Sequence, residues 1–154
     1  MIGLYRGRSF LSRAIQWRTW SVYSHAAWID DDGSVYEAWY PHGVRHLANV
    51  NVGHSPGTVV DVFNVGLVTT QKIALRKWFT SQLGKPYDRW AIVGFISRRA
   101  MADPAAWVCS ELIYQGFLEV GIELLGGNTP AYKVSPGRLA LSPFLTKDLT
   151  LVTQ

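Results

Sequence analysis

The alternation of apolar and polar positions predicts an antiparallel β-hairpin near the start of the chain. Two β-prone runs, Ser24 to Ile29 and Ser34 to Tyr40, flank the turn sequence Asp30-Asp31-Asp32-Gly33. An Asp- and Gly-rich turn between two such runs is a strong hairpin signal. Two further strands are expected within residues 44–66, and a last strand is expected from Leu149 to Thr153.

Apolar residues at spacings of three and four predict the helices. Ser9 is a suitable N-cap for the first helix, and Asp103-Pro104 is typical of the start of the third. Gly84 and Gly121 are suitable residues just beyond the ends of the second and third helices. The expected helices cover residues 9–20, Thr69 to Leu83 and about Ala105 to Val120, with a short helical turn at Ser135-Pro136-Gly137.

Length and composition limit the class of protein. With 154 residues, 48% of them hydrophobic, and no linker or repeat, the chain is expected to form one domain over residues 1–154. Its single cysteine cannot form an internal disulfide, which excludes the secreted, disulfide-stapled class. No apolar stretch, including Trp90 to Ile96, approaches the roughly 18 residues that a membrane-spanning helix needs. Because basic residues also interrupt the apolar clusters of the N-terminus, we expect no signal peptide and a cytoplasmic location.

The net charge of +4 is a mild basic excess that only weakly favours an acidic partner. Arg13, Trp17, Arg18 and Trp20 combine basic and aromatic side chains, which could neutralise a nucleic acid and stack on its bases. No nucleic-acid-binding motif accompanies them, so we expect no nucleic acid partner. We expect Trp17 and Trp20 to pack the first helix against the core instead.

Cys109 lies in the first turns of the third predicted helix. The positive end of the helix dipole and the unpaired N–H groups of that turn favour a thiolate over a thiol. The same N–H groups could hold a developing oxyanion. A lone cysteine is equally suited to the core as a small apolar residue, so the choice depends on whether the chain offers a base.

His25 and Glu37 could supply that base and its partner. They lie twelve positions apart on the two arms of the predicted hairpin. If the turn is centred near Asp31 or Asp32, the period-two alternation of strands places both side chains on one face, as a direct or diagonal cross-strand pair. A carboxylate beside a histidine holds the ring in one tautomer and stabilises the imidazolium. A surface glutamate and a half-exposed histidine would fit the same spacing.

The other histidines indicate no further chemistry. His42 and His46 are four residues apart, but Pro41 and Gly43 oppose a helix there, and no Glu or Cys completes a zinc ligand set. We therefore predict no metal site. His54 lies in the Gly53-to-Gly57 loop and is expected to be solvated.

Ser24-His25, then Glu37, then Cys109-Ser110-Glu111-Leu112 follow one another along the chain. This order of segments resembles the permuted NlpC-type papain-like cysteine hydrolases, in their YiiX-like branch. The resemblance extends from about residue 3 to residue 143. Its most specific parts are Cys109-Ser110-Glu111-Leu112 at the start of a helix, the upstream Ser24-His25, and Glu37. The other segments that carry it are Gly7-Arg8-Ser9 with Ser12 and Ile15, Tyr23 to Ile29, Val35 to Ala38, Gly84 to Asp88, Trp107 to Ile113, and Ser135-Pro136.

The resemblance implies an α+β fold of the circularly permuted papain-like type. In that fold a curved antiparallel sheet carrying the histidine packs against a helix carrying the cysteine, and the hairpin precedes the helix in the sequence. It also implies that Cys109 is the nucleophile, His25 the general base and Glu37 the residue that orients His25. Tyr87 matches the family's tyrosine near the active site, where it would help to position substrate or oxyanion. A packing residue after a Pro turn fits Tyr87 equally well.

The implied activity is cleavage of an amide (peptide), ester or thioester bond through an acyl-enzyme on Cys109, without a cofactor. The expected substrate is a peptide, a peptidoglycan fragment or an acyl lipid, and the expected source is a bacterium or phage. Two alternatives remain open. One is an acyltransferase of the same fold acting on lipid or peptide acyl groups, and the other is a binding module that keeps the fold without turnover.

Overall fold

The computed structural model of the chain describes residues 1–89 and 105–154. The strands are β1 (Ile2–Arg6), β2 (His25–Ile29), β3 (Val35–Trp39), β4 (Gly43–Leu47), β5 (Val59–Asn64) and β6 (Thr146–Val152). The described helices are α1 (Phe10–Thr19), α2 (Thr69–Gln82), α3 (Cys109–Glu119) and α4 (Pro136–Leu139), with a 3-10 turn at Ala131–Lys133.

The six strands form one antiparallel sheet in the order β4-β3-β2-β1-β5-β6. The α+β class is therefore confirmed, as are the hairpin β2–β3 and the two strands expected within residues 44–66. The last strand begins earlier than expected, at Thr146. Strand β1, which pairs with both β2 and β5 near the centre of the sheet, is not among the strands expected from the sequence.

Helix α3 packs on one face of this sheet and forms the main core with it. Leu112, Ile113 and Phe117 are fully buried there. Helix α2 crosses close to α3 at Gly116, where a Cβ atom would come within 2.8 Å of the Phe79 ring. A second, smaller apolar cluster, built around Tyr5 and its neighbours, covers the opposite face of the sheet. The sheet is thus buried on both faces along its central strands.

Two expectations about the helices are wrong. Helix α3 begins at Cys109 and not near Ala105, because Trp107 pairs with the Tyr87 loop and holds the preceding residues in an extended conformation. Trp17 and Trp20 do not pack α1 against the core; they are 75% and 93% exposed. The sequence periodicity of α1 is helical, but its aromatic residues face outward, while Leu11 and Ile15 are partly buried.

Two features expected from the sequence, the apolar segment Trp90 to Ile96 and the helix-start pair Asp103-Pro104, lie outside the described residues. Among the helices that are described, none is long and apolar enough to span a membrane.

Candidate active site

The hairpin β2–β3 brings His25 and Glu37 into direct contact. The pairing of Trp28 with Tyr36 and of Ile29 with Val35 fixes the register, which makes His25 and Glu37 diagonal neighbours on one face. Nε2 of His25 lies 2.6 Å from Oε2 of Glu37, a hydrogen-bond distance. Glu37 is fully buried and His25 is 8% exposed. Because Nε2 is occupied by the carboxylate, Nδ1 is the ring nitrogen left for another partner.

Glu37 has two further partners that the sequence did not indicate. Arg45, directly opposite on β4, donates to Oε1 from both Nε and a terminal nitrogen, at 2.8 and 2.6 Å. His54 lies with Nε2 3.1 Å from Oε2, and its side chain is only 3% exposed. The expectation that His54 is solvated is wrong, because its ring stacks on Tyr5 with the ring centroids 4.3 Å apart. A loop composition shows that a residue connects strands but not where its side chain packs.

Cys109 is the first residue of α3 and is 3% exposed. Its thiol interacts with the His25 ring and with the backbone N–H groups of Ala26 and Ser110. Burial alone would raise the pKa of the Cys109 thiol. The charge and hydrogen bond of His25, together with the two N–H donors, outweigh burial and lower the pKa. The structure therefore brings Cys109, His25 and Glu37 into one continuous line of contacts.

The same line of contacts changes the pKa values of the other two groups. Burial opposes a charge on His25, but Glu37 and Cys109 outweigh it and raise the pKa of His25 from its ordinary 6.5 to about 10. Burial likewise opposes a charge on Glu37, yet His25 and His54 hold its pKa well below the ordinary value. The three shifts act in the same direction, since each favours the charged form of its group: the thiolate, the imidazolium and the carboxylate.

A short loop places Tyr87 beside the thiol. The backbone N–H of Asp88 donates to the carbonyl of Trp107, and the N–H of Trp107 donates to the carbonyl of Pro86, so this loop is joined to the residues just before Cys109. The pKa of Tyr87 is raised well above its ordinary value by burial and by the charge and hydrogen bond of Cys109. The raised pKa keeps its hydroxyl protonated, so that it can donate to the Cys109 sulfur.

Gly43 anchors this loop to the edge of the sheet. Its φ of 80° favours glycine, and a Cβ atom there would lie 2.2 Å from the carbonyl oxygen of Lys85. The N–H of Val44 can therefore donate to that oxygen, at 2.8 Å. A side chain at position 43 would displace the loop that carries Tyr87.

A cavity of about 270 Å³ lies over these groups. Its lining includes Cys109, His25, His54 and Tyr87 on one side, and residues of α1 on the other. Cys109 is thus buried yet borders this cavity. His42 and His46 do not line this cavity, and His46 stacks on Tyr36 instead.

No protein-family model matches this chain, and no curated protein matches it. Among solved structures, the chain is similar to the crystal structure of the metalloprotein YiiX from Escherichia coli O157:H7, with 24% sequence identity and a TM-score of 0.68. The similarity covers 96% of this chain and 94% of that chain. The two chains share a fold, which is compatible with the papain-like arrangement.

Because YiiX is described as a metalloprotein, the fit of a metal to this site matters. Ligand atoms of His25, Glu37 and His54 lie within 4.8 Å of one another. Zinc bonds of about 2.0–2.2 Å in a tetrahedral site place neighbouring ligand atoms roughly 3.3 Å apart. Nε2 of His25 and Oε2 of Glu37 are only 2.6 Å apart, and Arg45 occupies the other carboxylate oxygen. This arrangement fits a hydrogen-bonded network and not a metal centre.

Proposed function

We propose that the chain is a cysteine hydrolase that cleaves an amide, ester or thioester bond through an acyl-enzyme on Cys109. The observation that carries the proposal is the line of contacts from Cys109 through His25 to Glu37 beside a cavity. A cysteine that serves only as an apolar core residue needs no buried imidazolium next to it. The circularly permuted papain-like arrangement, with the histidine hairpin before the cysteine helix, is part of the proposal.

In the first half-reaction, the Cys109 thiolate attacks the carbonyl carbon, and the carbonyl electrons move onto the oxygen. The backbone N–H of Cys109, at the unpaired start of α3, and a neighbouring donor stabilise that oxyanion. The His25 imidazolium donates its proton to the leaving amine, alcohol or thiol as the bond to carbon breaks. An acyl thioester on Cys109 and a neutral His25 remain.

In the second half-reaction, His25 accepts a proton from water as the water oxygen attacks the thioester carbon. Collapse of the intermediate expels the Cys109 thiolate and releases the acid, and the ion pair with His25 is restored. Glu37 holds the ring through Nε2 and stabilises its positive charge. Arg45 and His54 keep Glu37 ionised and fixed in place. Tyr87 is proposed to bind substrate next to the thiolate. No cofactor takes part in either step.

The proposed substrate is a peptide, a peptidoglycan fragment or an acyl lipid. An acyltransferase differs only in the second half-reaction, where an alcohol, amine or thiol replaces water as acceptor. Product analysis with and without such an acceptor distinguishes the two activities. The third alternative, a binding module without turnover, is disfavoured because Cys109, His25 and Glu37 are all intact and in contact.

The decisive experiment is alkylation of Cys109 with iodoacetamide as a function of pH. In the parent protein the rate should reach half its maximum below the pH of an ordinary thiol. In a His25→Ala variant the midpoint should move up to about pH 8.5 or higher. His46→Ala, which removes an exposed histidine outside the cavity, is the matched control and should leave the profile unchanged. An ordinary thiol profile in the parent, unaffected by removal of His25, would contradict the proposal.

A further inference from the structure

The outward face of α1 carries large aromatic side chains that nothing in the proposed chemistry uses. Phe10, Ala14 and Trp17 are spaced i, i+4 and i+7, which places them on one face of the helix. Phe10 is 90% exposed and Trp17 is 75% exposed. Trp20, at the C-cap of α1, is 93% exposed. No residue of α1 is fully buried, and its largest aromatic side chains are the ones that face outward.

Positive charge is concentrated in the same part of the chain. The first 29 residues contain four arginines and no Asp or Glu. The rest of the chain contains eleven basic and eleven acidic residues, so their charges cancel. The entire net charge of +4 therefore resides in this segment. Arg6 is bound to Asp61, whereas Arg8 and Arg13 are exposed, and Arg8 also lines the cavity of the candidate active site. Arg13 lies one turn from Phe10 and from Trp17 on α1, so its charge lies beside the aromatic stripe.

The inner face of α1 borders the cavity of the candidate active site. Leu11, Ser12 and Ile15 line that cavity together with His25 and Cys109. A surface that contacts the outward face of α1 would therefore lie next to the rim of the cavity. Helix α1 thus lies between the cavity and the outward face that carries Phe10 and Trp17.

We propose that the outward face of α1, with Trp20, docks on an anionic lipid bilayer. Tryptophan and phenylalanine on one helix face, flanked by arginines, match a helix that lies in the plane of the interface. The aromatic rings enter the boundary between headgroups and acyl chains, and the arginines pair with anionic headgroups. Single-stranded nucleic acids, by contrast, usually bind in a basic groove in which bases stack between side chains. Phe10 and Trp17 project from the convex surface of a helix, which favours the bilayer.

Docking does not depend on turnover at Cys109. If the proposed hydrolase activity also holds, docking brings the rim of the cavity to the membrane, where an acyl lipid or another membrane-bound acyl compound is available. Binding measured with an inactive Cys109→Ala variant separates the two proposals, because that variant should lose activity and keep full vesicle binding.

The test is co-sedimentation of the full chain with vesicles of phosphatidylcholine, alone or with about one third phosphatidylglycerol. The parent should bind the anionic vesicles more tightly, with a salt-sensitive affinity. The double variant Trp17→Ala/Trp20→Ala should bind at least about tenfold more weakly. Arg8→Gln and Arg13→Gln should each weaken binding by about fivefold at low salt. Ile73→Ala, which removes a 57% exposed apolar side chain from α2, is the matched control and should bind like the parent.

Trp17 and Trp20 are exposed, so their replacement should leave the fold intact, which circular dichroism would verify. The blue shift of tryptophan fluorescence on vesicle binding should also decrease in the double variant. Equal binding by the parent and the double variant would overturn the proposal. Tighter binding to an oligonucleotide than to anionic vesicles would assign the surface to nucleic acid. Concentration-dependent dimerisation abolished by the double variant, without vesicle binding, would assign it to a second copy of the chain.

Discussion

Two buried carboxylates in the same sheet, Glu37 on β3 and Asp61 on β5, have similar burial and different surroundings. Both are 0% exposed, and the pKa of each is held well below its ordinary value by cationic or hydrogen-bonding neighbours that outweigh burial. They lie on opposite faces: Tyr5 pairs with His25 on the face of Glu37, whereas the adjacent Leu4 pairs with Asp61. Burial and ionisation alone therefore do not distinguish them.

The partners of the two carboxylates differ in kind. Asp61 is bound by Arg6 at 2.5 Å and Lys147 at 2.7 Å, whose side chains are 40% and 48% exposed, and by the hydroxyls of Tyr23 and Thr150. These contacts join β1, β5 and β6, and none of the partners is an imidazole. Two of the partners of Glu37 are imidazoles, and one of them contacts Cys109. A buried carboxylate indicates a catalytic role when its partners can exchange protons with a nucleophile. Without such partners, its role is to stabilise the packing of the strands.

The largest expected effect that tests this contrast is on turnover. Glu37→Gln removes the charge that stabilises the His25 imidazolium, so kcat should fall on the order of 10³- to 10⁴-fold. Asp61→Asn should leave kcat within about twofold of the parent, because Asp61 lies on the opposite face of the sheet from Glu37. Turnover of a candidate thioester, normalised to the amount of folded protein, measures both. A similar loss in the two variants would show that the contrast is false.

The second effect is on stability, where Asp61 matters although it has no expected role in turnover. Asp61→Asn leaves Arg6 and Lys147 without their buried partner, which should lower the free energy of unfolding by about 2–3 kcal/mol. This figure is at the low end for a buried pair because the two cations are partly solvated. Urea denaturation measures the loss. Asp31→Asn, which removes an exposed pair with Lys72, is the control and should cost far less.

The two carboxylates should also differ in how they affect the dependence of stability on pH. The pKa values of Glu37 and Asp61 are depressed on folding, so their stabilisation is complete above about pH 4 to 5 and is lost as the pH falls below that range. The pKa of His25 is raised to about 10, so its stabilisation is complete below about pH 6.5 and is lost as the pH rises through 10.

Asp61→Asn should therefore weaken only the acid-side dependence. Glu37→Gln should weaken it as well and should also move the alkaline loss to lower pH, because the pKa of His25 then falls. Urea midpoints measured between about pH 3 and pH 10.5 in the parent and both variants give the comparison. If the loss of stability at alkaline pH were the same in Glu37→Gln as in the parent, Glu37 would not raise the pKa of His25. That result would contradict the assignment of the two residues as a pair.

The sequence predicted the elements and contacts that depend on local pattern. The hairpin, α2 and the diagonal contact of His25 with Glu37 follow from period and turn chemistry alone. β1 could not be predicted in this way. Its residues are buried on both faces and therefore show no alternation, and its partners β2 and β5 come from distant parts of the chain.

The parts of the site that the sequence did not predict also depend on contacts between residues far apart in the chain. His54 reaches Glu37 only because the loop before β5 folds back over Tyr5, a contact between residues 49 positions apart that local composition does not encode. The start of α3 at Cys109 depends on the pairing of Trp107 with Tyr87. The outward orientation of Trp17 is also tertiary, because the helical period of α1 does not specify which face meets the protein.

The smallest expected effect concerns His54, which distinguishes the surroundings of Glu37 most finely. His54→Ala should lower kcat by about tenfold or less, because Arg45 and His25 still hold the carboxylate, and kcat and KM are measured together. His54→Gln should recover most of the loss, since its amide N–H can donate to the same carboxylate oxygen. His42→Ala, an exposed histidine outside the cavity, is the control and should match the parent in both constants. If His54→Ala were as damaging as Glu37→Gln, the second imidazole would itself be part of the proton path. Glu37 would then orient both His25 and His54 for proton transfer, and not His25 alone.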